Sequence, residues 1–176
     1  LQFELATLHH EGRHLPKDAQ RAAKWYRKAA LGGHAPAQLN LAVVLLEGEG
    51  GVADPTEAFK WLTAAAEQGH ADGQVALGMM LALGQGVEAD LVEAHKWVTL
   101  SSKNGNEDAA AALAQLVPKL TDDQLAQSAQ RVQAWEASQT PPPSNPVPTP
   151  PAEPNSPTEP TEPAGQEATP TTTAGK

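Results

Sequence analysis

The histidines are the first side chains to consider as a source of chemistry, because imidazole nitrogens bind metals and carry protons. His9, His10 and His14 lie close together in the chain. No histidine or carboxylate around them keeps the spacing of a helical zinc motif such as His-Glu-x-x-His. His34 and His70 stand 36 residues apart, each directly after a glycine, which favours a structural role. We therefore predict no metal site and no cofactor.

The acidic residues also have a simpler explanation than catalysis. Asp54 and Asp90 are each followed, three positions later, by Glu57 and Glu93, and this spacing is typical of a helix N-cap with its capping box. The chain has no cysteine, so a thiolate nucleophile or metal ligand is excluded. No serine nucleophile elbow, phosphate-binding loop or dinucleotide fingerprint is present. We predict no catalytic residue, and we expect His95 to lie on the surface of a helix.

One group of charged residues could take part in binding, and we call it the basic strip: Lys17, Arg21, Lys24 and Lys28. Spacings of four, three and four residues place them on one face of a predicted helix. Such a strip could bind an acidic partner or an anionic surface. An ordinary solvated helix face and contact with the acidic tail of the same chain are the alternatives.

Composition and charge limit the class of protein. The formal net charge is -9, and general nucleic-acid binding needs a basic surface, so we expect no nucleic-acid partner. Hydrophobic residues make up 40% of the chain but aromatic residues only 4%, which favours a thin core of helix on helix. No apolar run approaches the roughly 20 residues of a membrane span, so we expect no direct span.

An internal repeat determines the elements that position these residues. Trp25, Trp61 and Trp97 are spaced by 36 residues, and a lysine precedes each of them. Aspartate, alanine, glycine and leucine recur at the same interval at other positions of the unit. A fixed period of this length indicates a solenoid. We expect each tryptophan to be buried in the same seam between helices.

Each unit predicts two helices separated by a glycine-containing turn. The fold predicted is all-α: a short right-handed superhelical α/α solenoid of helix-turn-helix repeats. The repeats cover about 1–36, 37–72 and 73–108, and a half repeat with a capping helix follows over 109–138. The first helix starts at Leu1 without a capping residue, so we expect further repeats or an N-terminal cap to precede it.

The repeated motifs suggest a family. A glycine-rich turn precedes Asp54, an Ala-x-Lys-Trp motif ends at Trp61, and a Gly-His-Ala motif surrounds His70. This pattern resembles the Sel1-like repeat of the tetratricopeptide-like superfamily. The resemblance implies an adaptor or scaffold that binds another protein and has no catalytic activity. It also favours the bacterial periplasm or envelope, with the cytoplasm as the alternative.

In superhelices of this kind, the first helix of each pair lines the concave face. By the tetratricopeptide pattern, the resemblance therefore implies a mostly apolar groove that accepts a peptide or helix. The candidate groove residues are Asn40, Val43, Leu46, Glu47, Ala76, Met79 and Leu83. Packing of these side chains between helices is the alternative interpretation.

The C-terminal segment, 139–176, differs from the rest of the chain. Twelve of the sixteen prolines lie within 141–170, and such a composition predicts a disordered tail. From Pro148 to Pro163 a proline recurs every three residues, which is the period of a polyproline II helix. No lysine or arginine stands near these prolines before Lys176, so a spacer is favoured over a ligand for aromatic grooves.

Two further functions remain as alternatives to the adaptor. One is a structural component of a bacterial envelope complex that uses the proline-rich tail as a spacer. The other, more remote, is a β-lactam hydrolase-like enzyme, because some related repeat proteins are reported to have that activity. Those relatives are rich in cysteine, which this chain lacks.

Overall fold

The computed structural model describes residues 1–12, 18–49 and 51–139. Within them the chain forms eight α-helices and a short 3-10 helix, Val117–Lys119, and no strand. The all-α prediction is therefore confirmed, while the predicted tail from residue 140 onward lies outside the described residues. The helices are α1 (Gln2–Glu11), α2 (Ala19–Leu31), α3 (Ala35–Glu47), α4 (Pro55–Glu67), α5 (Ala71–Leu83), α6 (Leu91–Lys103), α7 (Asp108–Leu116) and α8 (Asp122–Ala137).

The helices pack mainly against their neighbours in sequence, as in a solenoid. The pairs α1–α2, α3–α4 and α5–α6 pack within the units, while α2–α3 and α4–α5 join one unit to the next. The first helices of successive units are also in contact: α3 packs against α5, and α5 packs against α7. None of the helices in the described residues is both long and apolar enough to cross a membrane.

Side-chain caps begin most of these helices, as the spacing of the acidic residues predicts. Asp18, Asp54 and Asp90 each accept a hydrogen bond at 2.9 Å from the backbone N–H three residues later. His34 and His70 have the same role for α3 and α5, since their Nδ1 atoms accept from a backbone N–H at 3.2 Å. The structural role predicted for both histidines is confirmed, and it is a capping role.

Two buried glutamines join successive units. Gln38 and Gln74 are fully buried at equivalent positions of α3 and α5. The side-chain amide of Gln38 donates to the carbonyl of Ala30 at the end of α2, at 3.2 Å. Gln68, which caps the C-terminus of α4, donates to the side-chain oxygen of Gln38 at 2.7 Å. Gln74 makes the equivalent bonds in the next unit, to the carbonyl of Ala66 and from Asn104. Each glutamine thus links three helices.

The three repeated tryptophans are not equally buried. Trp61 is 0% exposed and Trp97 is 5% exposed, and Trp97 packs edge-on against Trp135 of α8 at 5.9 Å between ring centroids. Trp25 is only half-buried, so the prediction that all three are core residues is wrong at this position. Its ring packs against the core on one side and borders a cleft whose lining, among the described residues, comes from α1 and α2.

The last helix, α8, packs on α6 through polar and apolar contacts. Arg131 is bound to Glu93 at 2.8 Å, and this hydrogen bond is the main cause that raises the pKa of Arg131. Val132 and Ser128 are buried in the same interface. The expectation that His95 lies on the surface is wrong, because its half-buried ring places Nδ1 at 2.9 Å from the hydroxyl of Ser128.

We predict that acid weakens the docking of α8. Burial lowers the pKa of His95 from its ordinary value, since the charged imidazolium loses solvation there. The unfolded chain therefore binds more protons, so the stabilising contribution of His95 is complete above about pH 6.5 and is lost as the pH falls through the folded pKa. Thermal unfolding of the full chain between about pH 5 and pH 8 should show a lower midpoint at the acidic end.

The variant His95→Gln isolates this contribution from those of the other histidines. Glutamine can keep a hydrogen bond with Ser128 but cannot be protonated in this range. The difference in stability between the two proteins should therefore change below about pH 6.5. Parallel pH profiles for the two proteins would contradict the assignment to His95.

Candidate binding surfaces

The predicted groove residues lie on two adjacent helices. Asn40, Val43 and Leu46 of α3 are half-buried, as are Ala76 and Met79 of α5. The remaining two, at the C-terminal ends of the same helices, are exposed: Glu47 and Leu83, the latter to 60%. None of the seven is fully buried. We call this surface the first-helix face.

The opposite side of α3 and α5 supplies the core. Leu41 and Val44 of α3, and Leu77 and Met80 of α5, are at most 2% exposed. The groove candidates are not isolated from this core, because Leu46, Ala76 and Met79 pack against it. The side chains of the first-helix face are therefore anchored at their base and partly open to solvent at their tips.

Three ionisable side chains meet at one end of this face. His10 of α1 lies with Nε2 at 3.1 Å from a carboxylate oxygen of Glu49, and the carboxylate of Glu47 is close by. One ligand atom from each of the three lies within 4.8 Å of the others. Sequence spacing could not reveal this group, because His10 belongs to a different unit from the two glutamates. The His10–Glu49 pair accounts for the contact, and the absence of a metal site stays a prediction.

The basic strip runs along α2. Arg21, Lys24 and Lys28 are exposed, whereas Lys17 lies outside the described residues. Arg21 pairs with Asp18 at 3.2 Å, and the ammonium group of Lys28 lies 4.7 Å from the ring centroid of Trp25. The strip is therefore a solvent-facing surface that includes an accessible aromatic ring.

A cleft of about 840 Å³ opens beside the basic strip, and we call it the Trp25 cleft. Its lining residues come from α1 and α2: Leu5, His9, Arg21, Lys24, Trp25, Arg27, Lys28 and Leu31. No carboxylate is among these lining residues. The sequence carries two signals for this cleft, the basic strip and the repeated tryptophan, and nothing in their spacing shows that they share one cavity.

Two buried nitrogens on the walls of the cleft lack partners. Nδ1 of His9 and Nε of Arg27 have no hydrogen-bond partner in the part of the chain that the structure describes. His9 itself is only 7% exposed. The terminal nitrogen of Arg27 is held by Glu57 at 2.7 and 2.8 Å, so its guanidinium is fixed in place. Buried polar groups without partners are costly and rare, and residues 13–17, which connect α1 to α2, lie outside the described residues.

Three consecutive segments of the chain match the Sel1 repeat: residues 1–34, 35–70 and 71–106. The chain belongs to the Sel1 repeat family. No protein with a curated description matches it closely enough to be counted as a relative.

Solved structures of Sel1 repeat proteins resemble this chain. A Sel1 repeat protein from Oxalobacter formigenes is 35% identical with a TM-score of 0.59, over 65% of this chain and 86% of its own. A protective antigen with an SLR fold, present in uropathogenic Escherichia coli strains, is 31% identical with a TM-score of 0.65. That match covers 77% of this chain but only 37% of the antigen.

Membership of the family gives the general role of the protein. Sel1 repeat proteins are generally adaptors for protein interactions and are typically not catalytic. The Sel1 units of this chain accordingly suggest a protein partner. Within the described residues, the first-helix face and the Trp25 cleft are candidate surfaces for such a partner.

Proposed function

We propose that this Sel1 repeat protein is a non-enzymatic adaptor that binds a peptide or helix of a partner protein across α3 and α5. The observation that carries the proposal is the exposure of Leu83. This leucine is 60% exposed at the end of α5, in line with the half-buried Met79 one turn earlier. Apolar side chains that are contiguous and open to solvent mark interaction surfaces more often than scattered ones do.

The arrangement of the face supports recognition of an amphipathic segment. Val43 and Met79 occupy equivalent positions of neighbouring units, as do Glu47 and Leu83. Because α3 contacts α5, these pairs form two apolar rows side by side, with a carboxylate at the end of one row. A groove between such rows suits an apolar helix stripe, and methionine adapts its shape to different partners.

The proposal predicts that a single charge on this face weakens binding. Peptides would be selected from a displayed library against the full chain, and their affinity measured for Leu83→Asp and Val43→Asp. Each change is expected to weaken binding by about tenfold or more, as at a central contact of an interface. Val52→Asp is the matched control, because Val52 is 92% exposed in the turn before α4.

The melting temperature of each variant separates binding from folding. Leu83→Asp should melt close to the unmodified protein, because its side chain is largely in solvent already. If the selected peptides bind Leu83→Asp and Val52→Asp equally well, the partner docks elsewhere. If Val43→Asp unfolds while Leu83→Asp binds normally, the two rows are packing surfaces and the proposal is wrong.

A further inference from the structure

The positive charge of the Trp25 cleft is specific to the first unit. The second unit has acidic or uncharged residues at the positions equivalent to Arg21, Arg27 and Lys28. These residues are Glu57, Thr63 and Ala64. Arg27 is held by Glu57 of the next unit and Arg21 pairs with Asp18, so both arginines have structural contacts. The charges that the cleft presents to a ligand come from Lys24 and Lys28, beside the repeated tryptophan.

The chemistry of the cleft defines its ligand. Trp25 and Leu31 are apolar and partly open to solvent, and the lining nitrogens of the lysines and arginines can only donate hydrogen bonds. The complementary ligand is an extended segment with apolar rings, carbonyl acceptors and negative charge.

The chain contains such a segment in its own tail. Residues 157–163 read Pro-Thr-Glu-Pro-Thr-Glu-Pro. We propose that this segment binds in the Trp25 cleft as a polyproline II strand. Prolines have no N–H group, so the backbone there offers carbonyl acceptors in excess, and proline-rich strands of this kind dock in grooves lined by aromatic rings.

The period of the segment matches the two kinds of wall in the cleft. One edge of a polyproline II strand would carry Pro157, Pro160 and Pro163. Another edge would carry Glu159 and Glu162, which are about 9 Å apart along the strand. The proline edge packs on the ring of Trp25, and the glutamate edge faces Lys24 and Lys28 of the basic strip. Those lysines are one helical turn apart, about 6 Å along the axis, and their flexible side chains span the remaining distance.

The charge signs also explain a feature of the tail that had argued against a ligand. Proline-rich ligands usually carry a basic residue, and the tail has none near its prolines. In this protein the signs are reversed, because the lysines and arginines belong to the cleft and the glutamates to the strand. The segment and its binding site thus belong to the same protein, and the contact forms either within one molecule or between two copies of it.

The test uses a fluorescein-labelled peptide of residues 155–165 and measures its anisotropy with full-length protein. The receptor is the Glu159→Gln/Glu162→Gln chain, in which the attached tail has lost the charges that would let it compete. The peptide should bind this chain more tightly than the unmodified one. Adding Lys24→Glu and Lys28→Glu to the same receptor should weaken binding by about tenfold.

Lys60→Glu is the matched control, because Lys60 is exposed and precedes Trp61 as Lys24 precedes Trp25; this change should leave the affinity unaltered. A peptide with lysine in place of both glutamates should recover binding to the Lys24→Glu/Lys28→Glu receptor. Circular dichroism would confirm that each variant folds. If charge reversal impairs folding, the milder Lys24→Gln/Lys28→Gln receptor should still bind the peptide more weakly than the receptor with both lysines.

Two results would overturn the proposal. One is equal peptide affinity for the Lys24→Glu/Lys28→Glu and Lys60→Glu receptors. The other is equal affinity for a scrambled peptide of the same composition without the three-residue proline period, which would mean that the cleft is only a basic patch that binds any acidic peptide. Neither result bears on the first-helix face, which is tested by different residues.

Discussion

Replacing Trp61 with alanine is expected to lower the free energy of unfolding by about 3–5 kcal/mol, the range for large aromatic side chains in a core. The Trp61 ring is 0% exposed, so its removal leaves a cavity that the neighbouring helices cannot close. The change also removes the indole donor to Glu57, at 3.0 Å, whose carboxylate binds Arg27 of the preceding unit. Urea unfolding followed by circular dichroism measures the loss.

Trp25→Ala is the matched control for this prediction. The two residues occupy the same position of the repeat, but Trp25 is half-buried at the edge of an open cleft. Since the stabilisation scales with apolar area removed from water, its replacement should cost clearly less than that of Trp61. Equal losses for the two variants would mean that the segment docked in the Trp25 cleft covers this ring as fully as the core covers Trp61.

Gly86→Ala is expected to cost about 2–4 kcal/mol, from the strain of a left-handed residue together with overpacking. Gly86 has a φ of +69°, and a Cβ atom there would lie 2.5 Å from the carbonyl carbon and oxygen of Pro55. Those atoms are backbone at the start of α4, so no side-chain movement relieves the contact. Urea unfolding of the full chain would give the change in stability.

Gly105→Ala separates the two contributions. Gly105 has a similar φ of +84°, but a Cβ atom there meets nothing within 4 Å. This variant should therefore lose only about 1–2 kcal/mol from backbone strain. A Gly86→Ala variant as stable as Gly105→Ala would show that the turn after α5 does not press on α4.

Sequence reasoning predicted the helices because several local signals repeat together. The aspartates before α2, α4 and α6 are caps in the structure. The glycines after α1, α3 and α5 have left-handed backbones and end those helices. Such signals act over a few residues, so the chain itself displays them. A period present in three copies then arranges the helices as stacked pairs.

Contacts between units were harder to predict from the sequence than the helices. Equivalent positions in a repeat need not be equally covered, which is why Trp25 departs from Trp61. The capping helix breaks the 36-residue period, so no register related His95 to Ser128. His10 and Glu49 meet through the packing of two units, and no pattern in the sequence expresses that distance. Whether the first-helix face binds a partner stays a prediction.

The buried glutamines have a consequence for how rigid the protein is. Gln38 and Gln74 each tie the end of one helix pair to both helices of the next, so a change in the angle between neighbouring units would break buried hydrogen bonds. The angle between units is thereby fixed by hydrogen bonds at two successive interfaces, and not only by apolar contacts, which would allow the helices to slide. A segment docking across α3 and α5 would meet a surface already arranged, and less of its binding free energy would be lost in ordering that surface.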